Sequence, residues 1–588
     1  MILKREIPIM NRLLINMFAF MCFVLTNTSI AKQEDNLDKI LADHWTAANQ
    51  EQIFFRKDPD TFRMNGKLPD MSAAGRARRE AFNQTILDRL DTLSTDSLNA
   101  KDNVTFYLFK SERQTEATSY GQLDHYYPMH KYSSFISYFA GAPNNMSFLE
   151  LADYEKYLVS LADFPRYNEQ HIVTLKKAIT KGHTQYCESF AGYDKKISQH
   201  IVKNVEDSVF YAPLTAIPVN FSGSDKDRII KAARNLISQT VIPEYQKFHT
   251  FFVEEYMTHC RKDVGVTALI GGAEYYQYLI QYYTTTNYTA DEIHQLGLAE
   301  VSRIKTEMEA IIKKIGFKGG FNAFIEFLRT DPQFYTDDPQ DMLEKASYIT
   351  RKMAAQLPKW FGLLPRSTFD IKPSPDGGAY YVASDGSGTT SGTYFIDVKD
   401  LKKQPLNNLE ALTFHEAEPG HHFQGSLAME SEVPEFRKTL YHSAYGEGWG
   451  LYAESLGKEM GFYQNPYSDF GRLSYEMWRA CRLVVDTGLH AKGWSRQKAI
   501  DYLAGNSGAN ISEATGEIDR YITWPAQALS YKIGELKIRE LREIAERELG
   551  VDFKIRDFHD QILANGSLPL ELLEKLTLAW IDKTKVRH

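Results

Sequence analysis

Cysteine is scarce in this chain of 588 residues: there are four, at positions 22, 187, 260 and 481. Their spacing holds no pattern of paired thiolate ligands, which argues against a cysteine-based metal site. Once the N-terminal leader is gone, three remain. They allow at most one intrachain disulfide, and buried inert thiols are the default expectation. An excess of positive charge is also missing. Against 68 Lys and Arg stand 76 Asp and Glu, a formal net charge of −8, and no basic face is visible, so a nucleic-acid partner is excluded. After the first 25 residues no segment offers the roughly 20 apolar residues that span a bilayer, so no stable membrane span is expected in the mature chain. The Gly/Ser/Thr-rich stretch SDGSGTTSG at 384 to 392 lacks the G-K-[ST] of a phosphate loop. It reads instead as a mobile edge of a cleft. A strict H-E-x-x-H is absent too, because the position four after His415 is Pro419.

The N-terminus has the three parts of a secretory signal. Lys4, Arg5 and Arg12 precede the apolar run Leu13 to Leu25, and Ser29-Ile30-Ala31 offers a small-residue cleavage site. Residues 1–31 are thus expected to be a signal peptide and the mature protein to begin near Lys32, in the periplasm or outside the cell. An uncleaved anchor is the rival reading. Cys22 is preceded by Ala19-Phe20-Met21, a poor match to a lipoprotein signal, which wants small residues next to the modified cysteine.

At 43% hydrophobic and 13% aromatic, the chain can bury a sizeable core. From about 36 to 300, segments such as 74–93 and 154–182 repeat apolar residues at three and four, the helical period. The SGSDKD stretch at 222 to 227 reads as a hinge before another long helix. The stretch 369 to 397 differs: FDIKP, AYYVA and GTYFID are short, aromatic or β-branched, and separated by turn residues. The expected fold is mainly α, a large helical body with a deep cleft and a small β-sheet beside a metal-binding helix. Residues 32–300 form an N-terminal helical region and 301–588 a catalytic region, continuous with each other.

The chemistry concentrates in HEAEPGHH at 415 to 422 and EGWGLYAE at 447 to 454. A hydrolytic zinc takes about three protein ligands from His, Asp and Glu and leaves a position for water, beside which a base must stand. In one continuous helix His422 would lie about 10 Å from His415, too far to share an ion. Pro419 and Gly420 resolve this by breaking the helix. His415 and His421 are then the ligands and Glu416 the base, with His422 the reserve ligand, otherwise a partner of a supporting group or of substrate. Glu447 and Glu454 share a helical face. One binds the metal while the other accepts a hydrogen bond from a ligand histidine; Glu447, between two glycines, is the first choice for ligand and Glu454 the reserve.

Metal-assisted hydrolysis of a carbonyl compound also needs a donor for the developing oxyanion, worth about 3 kcal/mol. Tyr531 in QALSYKIG is the first candidate and His490 in DTGLH the second, with Asp486 one turn before it as a possible orienting group. Arg520, Lys532 and Arg482 could bind a substrate carboxylate.

HEAEPGHHFQ, EGWGLYAE, RLVVDTGLH (482 to 490) and RYITWPAQALSYKIG (520 to 534) resemble a large family of exported bacterial proteins catalogued as a domain of unknown function, DUF885-like, within the gluzincin-like zinc metallopeptidases. The likeness covers nearly all of the mature chain. The chain is more distantly similar to thimet-type oligopeptidases, whose HExGH matches HEAEPGH with two residues inserted, and to aminopeptidases with NEGFAxYxE. Both alignments favour His421 and Glu447. The resemblance further implies that Tyr394 to Asp397, on the sheet edge, line the cleft and hold an extended substrate. The expected function is a secreted or periplasmic metallopeptidase with one Zn2+ per chain, cleaving short peptides with water activated by Glu416. Two alternatives stand beside it: a zinc hydrolase of a non-peptide amide or ester, and an exported binding protein that has lost catalysis.

Overall fold

A computed structural model describes residues 36–51, 66–146, 148–375, 377–384 and 391–586. The expected signal peptide with Cys22 and most of the 384–392 loop lie outside the described residues. The apolar spacing of the first half folds as read. Helix α1 (Ala73–Asp91) starts at Ser72, whose hydroxyl accepts from the Gly75 amide. Helix α2 (Leu151–Lys181) begins with a reciprocal cap between Glu150 and Asp153, ends at Gly182 with a positive φ of 74°, and buries Tyr154, Tyr157, Leu161 and Phe164. The SGSDKD stretch caps α3 (Gly223–Leu236) through Ser222; local capping chemistry, rather than a hinge, explains its composition.

Helix α4 (Ala290–Ile315) crosses residue 300, where the regional division was expected. A side-chain carbon at its Gly297 would lie 2.7 Å from Leu483, so α4 is packed against the C-terminal half and the two regions share a core. The sheet is small: β1 (Phe369–Pro373), β2 (Tyr380–Val382) and β3 (Gly392–Ile396) are ordered β1-β3-β2, with β1 parallel and β2 antiparallel to β3. These are the three strands expected from the sequence.

The sheet packs through Tyr394 and Ile396 onto Leu409 and Ala417, at the ends of α5 (Leu409–Glu416). A turn leads to α6 (His421–Glu430), and then come α7 (Ser443–Glu459), α8 (Pro466–Ala491), α9 (Ile511–Thr523) and α10 (Ser530–Leu549). Helices α7 and α10 touch backbone to backbone, since a side chain at Gly448 would come within 2.5 Å of Gly534. A buried ion cluster ties α4, α8 and α10 together. Lys532, with no exposed surface, lies 2.9 Å from Glu300, 2.9 Å from Glu476 and 2.8 Å from Glu535. Burial opposes its charge, but the three carboxylates outweigh that and hold its pKa above the usual lysine range. Among the described residues no helix is long and apolar enough to cross a membrane.

Cys187 and Cys260 form a disulfide across 73 residues, while Cys481 is free and buried. The expectation of three inert thiols is corrected for the first pair, whose proximity arises from chain segments that no local spacing encodes.

Candidate metal centre

Helix α5 ends at Glu416 and α6 starts at His421, so the Pro-Gly break falls where the sequence placed it. Gly420 is needed there for space: a side-chain carbon would lie 1.9 Å from the His415 carbonyl oxygen. Trp449 on α7 donates its indole N–H to the Pro419 carbonyl at 2.8 Å and clamps the turn. The folded-back chain sets the His415 and His421 rings 4.7 Å apart and nearly perpendicular, at 86°.

Glu447, from α7, closes the group. Its Oε2 is 3.4 Å from Nε2 of His415 and 3.4 Å from Nε2 of His421, and one ligand atom from each of the three residues lies within 4.8 Å of the others. Ligands about 2.05 Å from one tetrahedral zinc are about 3.3 Å apart, so the donor set fits that ion in chemistry and spacing. Gly450 makes room for the His415 ring, because a side-chain carbon there would fall 2.7 Å from it.

Glu454, one of the two glutamates weighed as ligand, takes the supporting part. Its Oε1 is 2.7 Å from Nδ1 of His415, leaving Nε2 to face His421 and Glu447. Burial disfavours a charged His415, yet its bonds to Glu447 and Glu454 outweigh that and push the imidazole up to about 10. Burial likewise opposes the Glu447 charge, and the two histidines overcome it, holding that carboxyl well below its usual range. The field at this point favours a cation. His422 turns away: its Nδ1 is 2.9 Å from the Tyr381 hydroxyl and 3.3 Å from the Ser426 hydroxyl, and burial lowers its pKa to about 4.

His415, Glu416, His421 and Glu447 line a cavity of about 1050 Å³ together with Tyr531. The Tyr531 ring lies 6.5 Å from the His415 ring, close to parallel at 18°, and its hydroxyl accepts from Nη2 of Arg520 at 3.4 Å. Arg482 and Arg520 reach the same cavity.

Lys532, His490 and Tyr394 do not. Lys532 is locked in the ion cluster. His490 is fully buried, accepts at Nδ1 from the Val266 amide at 3.1 Å and donates from Nε2 to the Tyr521 carbonyl at 2.9 Å; burial brings it down to about 3, a neutral ring spent on packing. Asp486 does not orient it, but accepts from the Tyr276 hydroxyl at 2.6 Å and from the Ala526 amide. Tyr394 sits on the middle strand with no exposed surface. The strand that borders the cavity is β2, through Tyr380 and Tyr381, because β3 is covered on both sides by β1 and β2.

Sequence reasoning also missed Arg479, Gln424 and Tyr441 on the cavity wall. For Arg479 a signal existed: it lies three residues before Arg482 on one helix, the spacing that puts two side chains on one face.

Sequence and structure comparisons give the following relatives. A family model described as "Bacterial protein of unknown function (DUF885)" matches residues 55–576. A crystal structure described as that of a "putative lipoprotein" from Colwellia psychrerythraea superposes with a TM-score of 0.86 at 26% identity, covering 93% of this chain and 98% of the other. A "putative lipoprotein of unknown function" from Shewanella oneidensis gives a TM-score of 0.71 at 18% identity over 92% of this chain and 100% of its own; at that identity the likeness is one of fold. No curated protein matches.

Proposed function

This chain belongs to the bacterial DUF885 family, and on that premise we propose that it is an exported zinc metallopeptidase of the gluzincin-like kind, hydrolysing peptide bonds in short peptides. The observation that carries the reading is the convergence of His415, His421 and Glu447 within 4.8 Å with Glu416 beside them in one large cavity. Held by those three residues, zinc would supply a Lewis acid for the scissile carbonyl.

The remaining work falls to side chains. Glu416, at the end of α5 and facing the cavity, takes a proton from the attacking water and passes it to the leaving amine. Arg520 donates to the Tyr531 oxygen, which leaves the phenolic hydrogen free to point at the developing oxyanion. Glu454 keeps the His415 ring in one orientation and tautomer.

Location is supported separately. The Cys187–Cys260 disulfide suits an oxidising compartment, and the description of the Colwellia relative agrees with a protein exported or anchored at a membrane.

Glu416→Gln is the test. It should keep zinc and lower kcat on a short-peptide library by about 100- to 10,000-fold, the scale of a lost general base. Wild-type turnover in that variant would remove Glu416 from the mechanism.

A further inference from the structure

Along the cavity wall beyond the metal ligands stand three arginines, Arg479 and Arg482 from α8 and Arg520 from α9. Such a group is costly to bury without matching anions, and the match here is incomplete. Arg482 and Arg520 share one carboxylate, Glu517, at 2.9 Å and 3.4 Å. The carboxylate nearest Arg479 is Glu454, at 3.7 Å, which is already bonded to His415 at 2.7 Å. Nη1 of Arg482 and Nε of Arg479 are buried without a hydrogen-bond partner among the described residues, and the two residues are only 5% and 9% exposed. Lys438 also lines the cavity but is satisfied by Glu435 at 2.7 Å.

We propose that Arg479, Arg482 and Arg520 form an anchor for the free C-terminal α-carboxylate of the peptide, making the protein a carboxypeptidase-type exopeptidase. This rests on the metallopeptidase reading and specifies its substrate. Planar guanidiniums with free donors match a carboxylate in charge and in fork geometry. Tyr531 fixes the distance scale: its ring is 6.5 Å from the His415 ring and 4.4 Å from the Arg482 guanidinium carbon. The guanidinium is therefore at most about 11 Å from His415, a span of about three residues of extended chain. A carboxylate held there places the reacting bond one to three residues from the C-terminus. An acidic side chain near the end of a peptide carries the same chemistry, so the two sources must be told apart.

The zinc-loaded mature protein is offered three versions of one peptide: free acid, C-terminal amide, and C-terminal amide with Glu as the last residue. Cleavage sites are read by mass spectrometry, and binding of the same peptides to the Glu416→Gln protein is read by calorimetry. The anchor predicts binding about 10- to 100-fold tighter for the free acid than for either amide, the scale of a lost charge-assisted hydrogen bond, and release of one to three C-terminal residues. Arg479→Lys, which keeps the charge and loses the fork, should narrow that ratio.

Equal binding and cleavage of free acid and plain amide would overturn the anchor while leaving a peptidase. A Glu-ended amide that matches the free acid would assign the arginines to a side chain and overturn the terminal assignment. Zinc-loaded protein that cleaves no peptide would remove the metallopeptidase reading itself.

Discussion

At the scale of single residues, the proposed metal centre depends on side chains that never touch the ion. Glu454 is one: its bond to Nδ1 of His415 decides which nitrogen faces Glu447. Glu454→Gln keeps the shape and removes the charge. It should weaken zinc binding by about 10- to 100-fold with all three ligands intact, measurable by competition with a chromogenic chelator. Asp486 offers a test independent of metal. Burial pushes its carboxyl up to about 7 from an ordinary value of 3.8, so the folded protein holds a proton there that the unfolded chain has released. Its contribution to stability is complete below about pH 4 and is lost as the pH rises to about 7. Asp486→Asn should flatten denaturation midpoints over that window, the native protein losing on the order of 2–4 kcal/mol relative to it; parallel pH profiles would contradict the assignment. The contrast between His421 and His490 shows what single residues reveal in sequence. His421 could be chosen over His422 because the ligand geometry, the Pro-Gly break and the likeness to known motifs all bear on the eight adjacent positions 415 to 422. His490 and Lys532 looked like functional residues because most of the partners that fix them, Val266 for the ring and Glu300 and Glu476 for the ammonium, lie far away in the chain, and Glu535, three residues after Lys532, does not by itself announce burial.

At the scale of elements, the turn between α5 and α6 makes the site possible. Ala at position 420 would put a carbon 1.9 Å from the His415 carbonyl oxygen, so Gly420→Ala should displace His421 and abolish zinc retention. The helical circular-dichroism signal should persist, because α5 and α6 are each held by their own packing. Retained zinc at full occupancy would show that the turn tolerates a side chain. The disulfide joining Cys187 to Cys260 closes a loop of 73 residues. Replacing both by Ser should lower stability by about 2–4 kcal/mol, read from chemical denaturation. Helix periods, the three strands and the helix break were all legible, being set by nearby residues. The order β1-β3-β2 was not, and it is why β2 rather than the Tyr394 strand borders the cavity: strand order depends on pairings that alternation does not encode.

At the scale of the whole molecule, a helical body was legible from periodicity and composition, while the way α4 crosses residue 300 to pack on α8 depends on contacts far apart in the chain and was not. The packing of Gly297 on α4 against Leu483 on α8 joins the two halves of the chain. That continuity has a purpose in the proposed account, since ligands from α5, α6 and α7 and arginines from α8 and α9 must keep fixed distances across a single cavity. The central claim is that this cavity holds a metal, and elemental analysis of the freshly purified mature chain from residue 32, beside His415→Ala and Glu447→Ala, tests it most directly. About one zinc per chain in the native protein and little in either variant is the expected result. A native protein that carries no metal and takes up none from added zinc would contradict it and leave an exported binding protein.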